Sequence, residues 1–147
     1  MVDELRSRIP PEKVLSGPEE FRLVCDELTY EINGIKAKLH RGVHPRQIIQ
    51  SRVSIGRLKI FHADDSGYWP VGKQRVDVAF LPTGMPSPTC HPGVALAMAM
   101  DLKPTFSVAV HGDDEQRQKF KALVECELPD ITVIIPRLNE LVVLKKP

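Results

Sequence analysis

The sequence predicts an α/β fold in which an antiparallel hairpin region precedes a β-α-β-α-β unit. Residues 21–32 and 35–43 are β-rich runs on either side of Asn33-Gly34, a dipeptide that supplies the positive φ angles of a type I′ hairpin turn. From residue 76 onward, short apolar runs alternate with helical patterns. This alternation is typical of a mostly parallel sheet with helices packed on it.

Each further element follows from a local pattern. Residues 46–61 give two more β-rich runs, which are broken at Gly56. The runs VDVAFLP (76–82), TFSVAV (105–110) and ITVIIP (131–136) predict buried strands, PGVALAMAMDL (92–102) and DDEQRQKFKALVEC (113–126) predict helices, and ELVVL (140–144) predicts a final strand. In the second helix Phe120, Leu123 and Val124 share one face.

Length and composition limit the classes of protein to consider. The 147 residues fit one domain, 1–147. A net charge of +1 and 5% aromatic residues argue against nucleic acid or an anionic membrane as the main partner. The three cysteines form no CxxC pair, and no apolar run reaches the roughly 18 residues of a membrane span. We therefore expect a cytoplasmic protein with reduced thiols.

Three polar residues stand just after predicted strands. His44 follows IKAKLHRGV, Asp65 follows LKIF in the stretch LKIFHADDSG, and His111 follows TFSVAV. Strand ends hold a side chain in place while leaving it accessible. Two imidazoles and a carboxylate also form a chemically sensible zinc or iron set. Taken singly, each residue is better explained as part of a loop, a turn or a helix cap, and it is their joint order that favours a metal site.

The joint order of these segments resembles the metallo-β-lactamase superfamily, especially its small lactonase-like members. The segments that carry the resemblance are INGIKAKLHRGVHP, LKIFHADDSGY, VDVAFLPTG, TFSVAVHG and ITVIIP. They correspond to a hairpin and strand ending in histidine, then to HAGDTG, DVALLP, PKxVIPMH and a last strand of the family. The resemblance covers residues 12–145 and corresponds to the C-terminal half of the fold.

The resemblance implies a role for each candidate residue. His44 would bind one metal, Asp65 would bridge two metals and act in catalysis, and His111 would bind the other metal. His62 would be a structural neighbour. The sequence departs from the family at Asp64, where glycine is usual, and at Ser66, where threonine is usual.

One hallmark of the family is absent from this sequence. The string HxHxDH, which supplies ligands from the N-terminal half of the family's fold, does not occur. The chain therefore resembles half of an αββα sandwich. Such a half leaves one sheet face uncovered, which predicts a homo-oligomer or a partner chain that carries the complementary half.

Three functions follow from these expectations. The chain is a metal-dependent hydrolase of the ester or lactone class if an HxHxDH-bearing half completes it, with zinc, or alternatively manganese or iron, as the cofactor. Alternatively it is a non-catalytic, metal-poor interaction or structural module. The third reading is a mononuclear site formed by His44, Asp65 and His111.

Overall fold

The computed structural model of the protein describes residues 27–46 and 48–145. These residues form one seven-stranded sheet, in which the strands follow one another in chain order. The strands are β1 Glu27–Ile32, β2 Ile35–Arg41, β3 Ile49–Ile55, β4 Leu58–His62, β5 Val78–Pro82, β6 Phe106–Val110 and β7 Thr132–Ile134; the helices are α1 Pro92–Leu102 and α2 Asp114–Glu127.

The antiparallel part of the sheet runs from β1 to β4. Asn33 and Gly34 have φ angles of 50° and 78°, which confirms the predicted turn with two left-handed residues between β1 and β2. Gly56, with φ 57°, turns the chain between β3 and β4. Residues 21–26 of the first predicted run, and 12–26 of the resemblance, lie outside the described residues.

The parallel part runs from β4 to β7, with α1 between β5 and β6 and α2 between β6 and β7. Both helices pack on one face of the sheet, where Phe61 and Leu81 meet Met98 and Phe120 in a fully buried core. The predicted α/β architecture, with a hairpin region followed by β-α-β-α-β, is confirmed. No helix of the described residues is long and apolar enough to cross a membrane.

The other face of the sheet is also apolar. Val78, Phe106 and Val108 form a second buried cluster there, apart from the helices. The strand registers place Ile55 and Leu58 on the same face, farther out in the antiparallel part. Leu58 is 40% exposed. The sheet thus has two apolar faces, and the helices of the described residues cover one of them.

The predicted final strand ELVVL is wrong. Residues 140–144 have no regular structure, and the Leu141 side chain is 88% exposed. Strand β7 pairs with β6 over only three residues, and Pro136 just beyond it has no N–H to extend a ladder. A turn then leads the chain away, with the N–H of Glu140 donating to the carbonyl of Arg137 at 3.3 Å.

Candidate metal centre

The candidate residues lie at one edge of the sheet because their strands point the same way. Strands β2 and β4 are both antiparallel to β3, so they run in the same direction, and β5 and β6 are parallel to β4. The segments that follow these four strands therefore meet at a single edge. His44, Asp65 and His111 belong to three of these segments.

Asp65 and His111 are in contact at this edge. Oδ1 of Asp65 lies 2.8 Å from Nε2 of His111, and each side chain is about one-third exposed. Oδ1 is nevertheless a buried atom that accepts no hydrogen bond within the described part of the chain, so the two atoms touch without hydrogen-bond alignment. A buried carboxylate oxygen with unused acceptor capacity beside an imidazole nitrogen is a donor pair that suits zinc or iron.

The backbone is left-handed at His111 and at Asp64, the residue before Asp65. Asp64, next to Asp65, has a φ of 56°, and His111 has a φ of 54°. Outside glycine this conformation costs on the order of 1–3 kcal/mol and is concentrated at functional sites. Asp64 stands where the resemblance leads one to expect glycine, and aspartate tolerates this region better than most side chains. Aspartate in place of glycine at position 64 is therefore compatible with the left-handed backbone of this turn.

The loop between β5 and α1 holds the backbone of Asp65. Its carbonyl oxygen accepts hydrogen bonds from the Ser87 hydroxyl at 2.8 Å, the Thr89 hydroxyl at 3.1 Å and the Cys90 thiol at 3.3 Å. The thiol also donates to the carbonyl of Ser66 at 3.2 Å. Burial raises the pKa of Cys90, so the sulfur keeps the proton that it donates.

His111 is fixed by the start of the same loop and by α2. The Thr83 hydroxyl donates to the His111 carbonyl at 2.8 Å, and the N–H of Gly112 donates to the Met85 carbonyl at 2.6 Å. Oε1 of Gln116 accepts from the N–H of Met85 at 3.2 Å. The loop after β5 therefore joins both members of the Asp65–His111 pair.

His44 is near this edge but is not part of a three-residue cluster. The preceding residue, Val43, donates its N–H to the Ser66 hydroxyl at 2.8 Å and accepts from the N–H of Gly67 at 2.8 Å. Nδ1 of His44 accepts from the N–H of Arg46 at 3.0 Å. Within residues 27–46 and 48–145, no three His, Cys, Asp or Glu side chains are placed to hold a metal ion together.

The remaining histidines of this edge have local contacts. Nδ1 of His62 accepts from the N–H of Asp64 at 3.0 Å, and its ring stacks on Phe80 with 5.5 Å between centroids. His91 is the N-cap of α1, with Nδ1 accepting from the N–H of Val94 at 3.4 Å. Both arrangements agree with structural roles.

The sequence reasoning missed the hydroxyls that hold the pair. Thr83, Ser87 and Thr89 lie in a proline-rich segment, TGMPSPTC, which reads only as a loop. Nothing in a single sequence tells which carbonyl a loop hydroxyl contacts. Its position just after a buried strand was the one available signal, because such segments reach the carboxyl edge of a parallel sheet.

Comparison with known proteins gives matches in structure only. The sequence matches no family model and no curated protein. A protein from Parabacteroides distasonis named as a metal-dependent hydrolase aligns over 74% of this chain and 54% of its own, with TM-score 0.64 and 20% identity. YhfI from Bacillus subtilis, a metallo-β-lactamase fold protein, aligns over 65% and 46%, with TM-score 0.55 and 14% identity.

A third solved structure broadens the chemistry seen on this fold. CmlA from Streptomyces venezuelae, a diiron β-hydroxylase, aligns over 74% of this chain and 31% of its own, with TM-score 0.60 and 10% identity. This chain thus spans about half of the first two structures and less of the third. The chain has part of a metallo-β-lactamase fold, which confirms the resemblance and fits its C-terminal half.

Proposed function

We propose that this chain supplies part of the site of a metal-dependent hydrolase and that a half carrying HxHxDH completes it. The contact between Asp65 Oδ1 and His111 Nε2 at 2.8 Å carries the proposal. Solved structures that share the fold include one named as a metal-dependent hydrolase. These likenesses support metal chemistry in general, and zinc is the metal that we propose, with manganese or iron as alternatives.

Each candidate residue has a distinct task under this proposal. Asp65 would bind both metals through its carboxylate, His111 would bind one of them through its imidazole, and His44 would bind the other once the site is complete. A metal held there supplies Lewis acidity for attack of water on an ester or lactone carbonyl. The loop after β5 keeps Asp65 and His111 in contact through their backbone carbonyls.

The partner in this proposal is a second copy of the chain or a complementary half, in either case one that covers the apolar sheet face. On that face Val78, Phe106 and Val108 are already buried, and the exposed side chains that a partner would cover are Ile55 and Leu58. Association that removes such side chains from water is favourable by roughly 25 cal/mol per Å². We do not expect nucleic acid or a membrane as a partner, since the net charge is +1.

The test is the zinc, iron and manganese content per chain after dialysis against metal-free buffer, measured together with the oligomeric state. We expect Asp65→Ala and His111→Ala to lose bound metal while urea unfolding shows a folded protein, because both residues follow strands that remain. His62→Ala is the matched control, since it removes a neighbouring imidazole that stacks on Phe80, and it should hold metal like the parent protein.

Equal metal content in the parent and both variants would contradict the assignment of Asp65 and His111. Metal near zero in the parent, with no gain when an HxHxDH-bearing half is supplied, would contradict a hydrolytic role.

The second candidate is a non-catalytic, metal-poor interaction module. The observation that favours it is the lack, among the described residues, of any three His, Cys, Asp or Glu side chains placed to hold a metal ion. Such a module would use the apolar sheet face for binding and would need no metal. The oligomeric state measured before and after chelation of all metal separates the two candidates. The non-catalytic module should associate with its partner equally well in both conditions.

A further inference from the structure

We propose that Ser87 and Thr89 are positioning residues that hold the Asp65 carboxylate against His111. This inference rests on the proposed function only in taking Asp65 as a metal ligand. The two side chains lie between β5 and α1, whereas Asp65 lies after β4. Their contact with Asp65 is therefore a tertiary one, made across two neighbouring strands of the sheet.

The distances support a specific clamp on one atom. The Asp65 carbonyl oxygen accepts from Ser87 Oγ at 2.8 Å and from Thr89 Oγ1 at 3.1 Å, and the two hydroxyls lie 3.2 Å apart. Cys90 Sγ approaches the same oxygen at 3.3 Å. A carbonyl oxygen has two lone pairs, so the Ser87 and Thr89 hydroxyls fill its capacity and fix its direction.

The clamp matters because the backbone beside Asp65 is unusual. Asp64 has a φ of 56°, a conformation that persists outside glycine when surrounding contacts enforce it. Fixing the Asp65 carbonyl fixes the peptide plane that follows and limits the directions open to its side chain. The buried Oδ1 then stays 2.8 Å from His111 Nε2 without a hydrogen bond of its own.

The same loop also holds the other member of the pair. Thr83 donates to the His111 carbonyl at 2.8 Å, and Met85 accepts from Gly112 at 2.6 Å. Contacts one step removed from a metal commonly change its affinity about 10- to 100-fold when they are lost. We therefore assign to the segment from Thr83 to Thr89 the role of keeping the Asp65 and His111 side chains in contact.

The experiment compares the full chain with the double variant Ser87→Ala/Thr89→Val. Cobalt is the probe, because its visible absorption reports ligand geometry, and the Asp65 Oδ1–His111 Nε2 distance is measured in crystals of the metal-free proteins. We expect the double variant to bind Co²⁺ about 10- to 100-fold more weakly and to lengthen that distance by more than about 0.5 Å.

Two further variants separate positioning from general stability. Thr89→Ser keeps the hydroxyl and should match the parent protein in both its Co²⁺ affinity and the absorption spectrum of the bound Co²⁺. Ser107→Ala is the matched control, since Ser107 is a fully buried serine of β6 whose hydroxyl has no hydrogen-bond partner in the described part of the chain. Should the double variant fail to fold, Thr89→Val alone carries the same comparison.

The outcomes distinguish this inference from the proposed function. An unchanged Asp65–His111 distance in the double variant would overturn the inference, whether or not the parent binds Co²⁺. If the distance lengthens in the double variant while parent and variant both fail to bind Co²⁺, the result would support the positioning role and would count against the metal site.

Discussion

The antiparallel strands β1–β4 and the parallel strands β4–β7 share one sheet but are stabilised in different ways. In the parallel half the helices cover one face, and Leu81 and Phe120 there are inaccessible to solvent. In the antiparallel half the same face carries polar side chains such as Lys36 and Ser54, and the opposite face leaves Leu58 and Ile55 40% and 47% exposed.

The difference explains where the candidate site lies. Asp65 and His111 follow strands that are flanked by the buried core, and the loop between β5 and α1 bonds to both. A site needs side chains held to within about 0.5 Å, and packed strands and helices supply that rigidity. His44 follows β2, outside the helix-covered core, and its side chain bonds only to its own turn in the described contacts.

The largest expected effect tests this contrast in packing with two identical substitutions. Leu81→Ala, in the buried part of β5, should lower the free energy of unfolding by about 2–5 kcal/mol because it leaves a cavity. Leu58→Ala, in β4, should cost about 1 kcal/mol or less, since its side chain is already 40% exposed. Urea unfolding of both variants gives the comparison.

Equal losses in the free energy of unfolding for the two leucine variants would contradict the proposed difference in packing between the parallel and antiparallel strands. If the loss for Leu58→Ala grows with protein concentration, the apolar face is buried in an assembly, and the contrast becomes one between a helix-covered and a partner-covered face.

A smaller effect compares two glycines with similar backbone angles. Gly112 has φ +82° and a Cβ there would lie 2.6 Å from Thr83 Oγ1, whereas Gly34 has φ +78° with nothing within 4 Å. Gly34→Ala should cost about 1–2 kcal/mol from backbone strain alone. Gly112→Ala should cost about 3 kcal/mol, because the clash adds to the strain.

Chemical denaturation of the glycine variants measures both costs. Similar values would mean that the segment around Thr83 yields easily, which would weaken the case for a rigid site in the parallel half.

The smallest effect concerns the start of α2. Asp113 accepts from the N–H of Gln116 at 2.8 Å and Gln116 returns the bond, which completes a capping box. Asp113→Ala should cost about 1 kcal/mol in thermal or urea unfolding. His91→Ala at the start of α1 should cost less, since its cap contact is 3.4 Å long. A larger loss at His91 would contradict this order.

Local patterns predicted the fold well because each signal has a local cause. Asn33-Gly34 specified its turn through its own backbone preferences, and both helices were found within a residue or two of their ends. The strand ELVVL failed because a strand also needs a partner edge, and the chain turns away after Pro136. β propensity alone does not provide that edge.

The candidate site was predictable only in part, for the same reason. His44, Asp65 and His111 are recognisable by their places after strands, and the structure brings Asp65 and His111 into contact. Which residues hold them depends on long-range contacts, such as the bond from Ser87 to the Asp65 carbonyl. No local preference of the segment PSPTC encodes that contact.

Each strand pairs with its neighbour in sequence, from β1 to β7, and this order has a consequence for folding speed. The antiparallel pairs are joined by short connections, as between Ile32 and Ile35 or Ile55 and Leu58, so their loop-closure entropy is small. Each parallel pair must first close a long connection, and those from β5 to β7 include a helix. Low contact order favours early formation. The antiparallel strands β1–β4 should therefore form before the parallel strands β5–β7, which complete the candidate site.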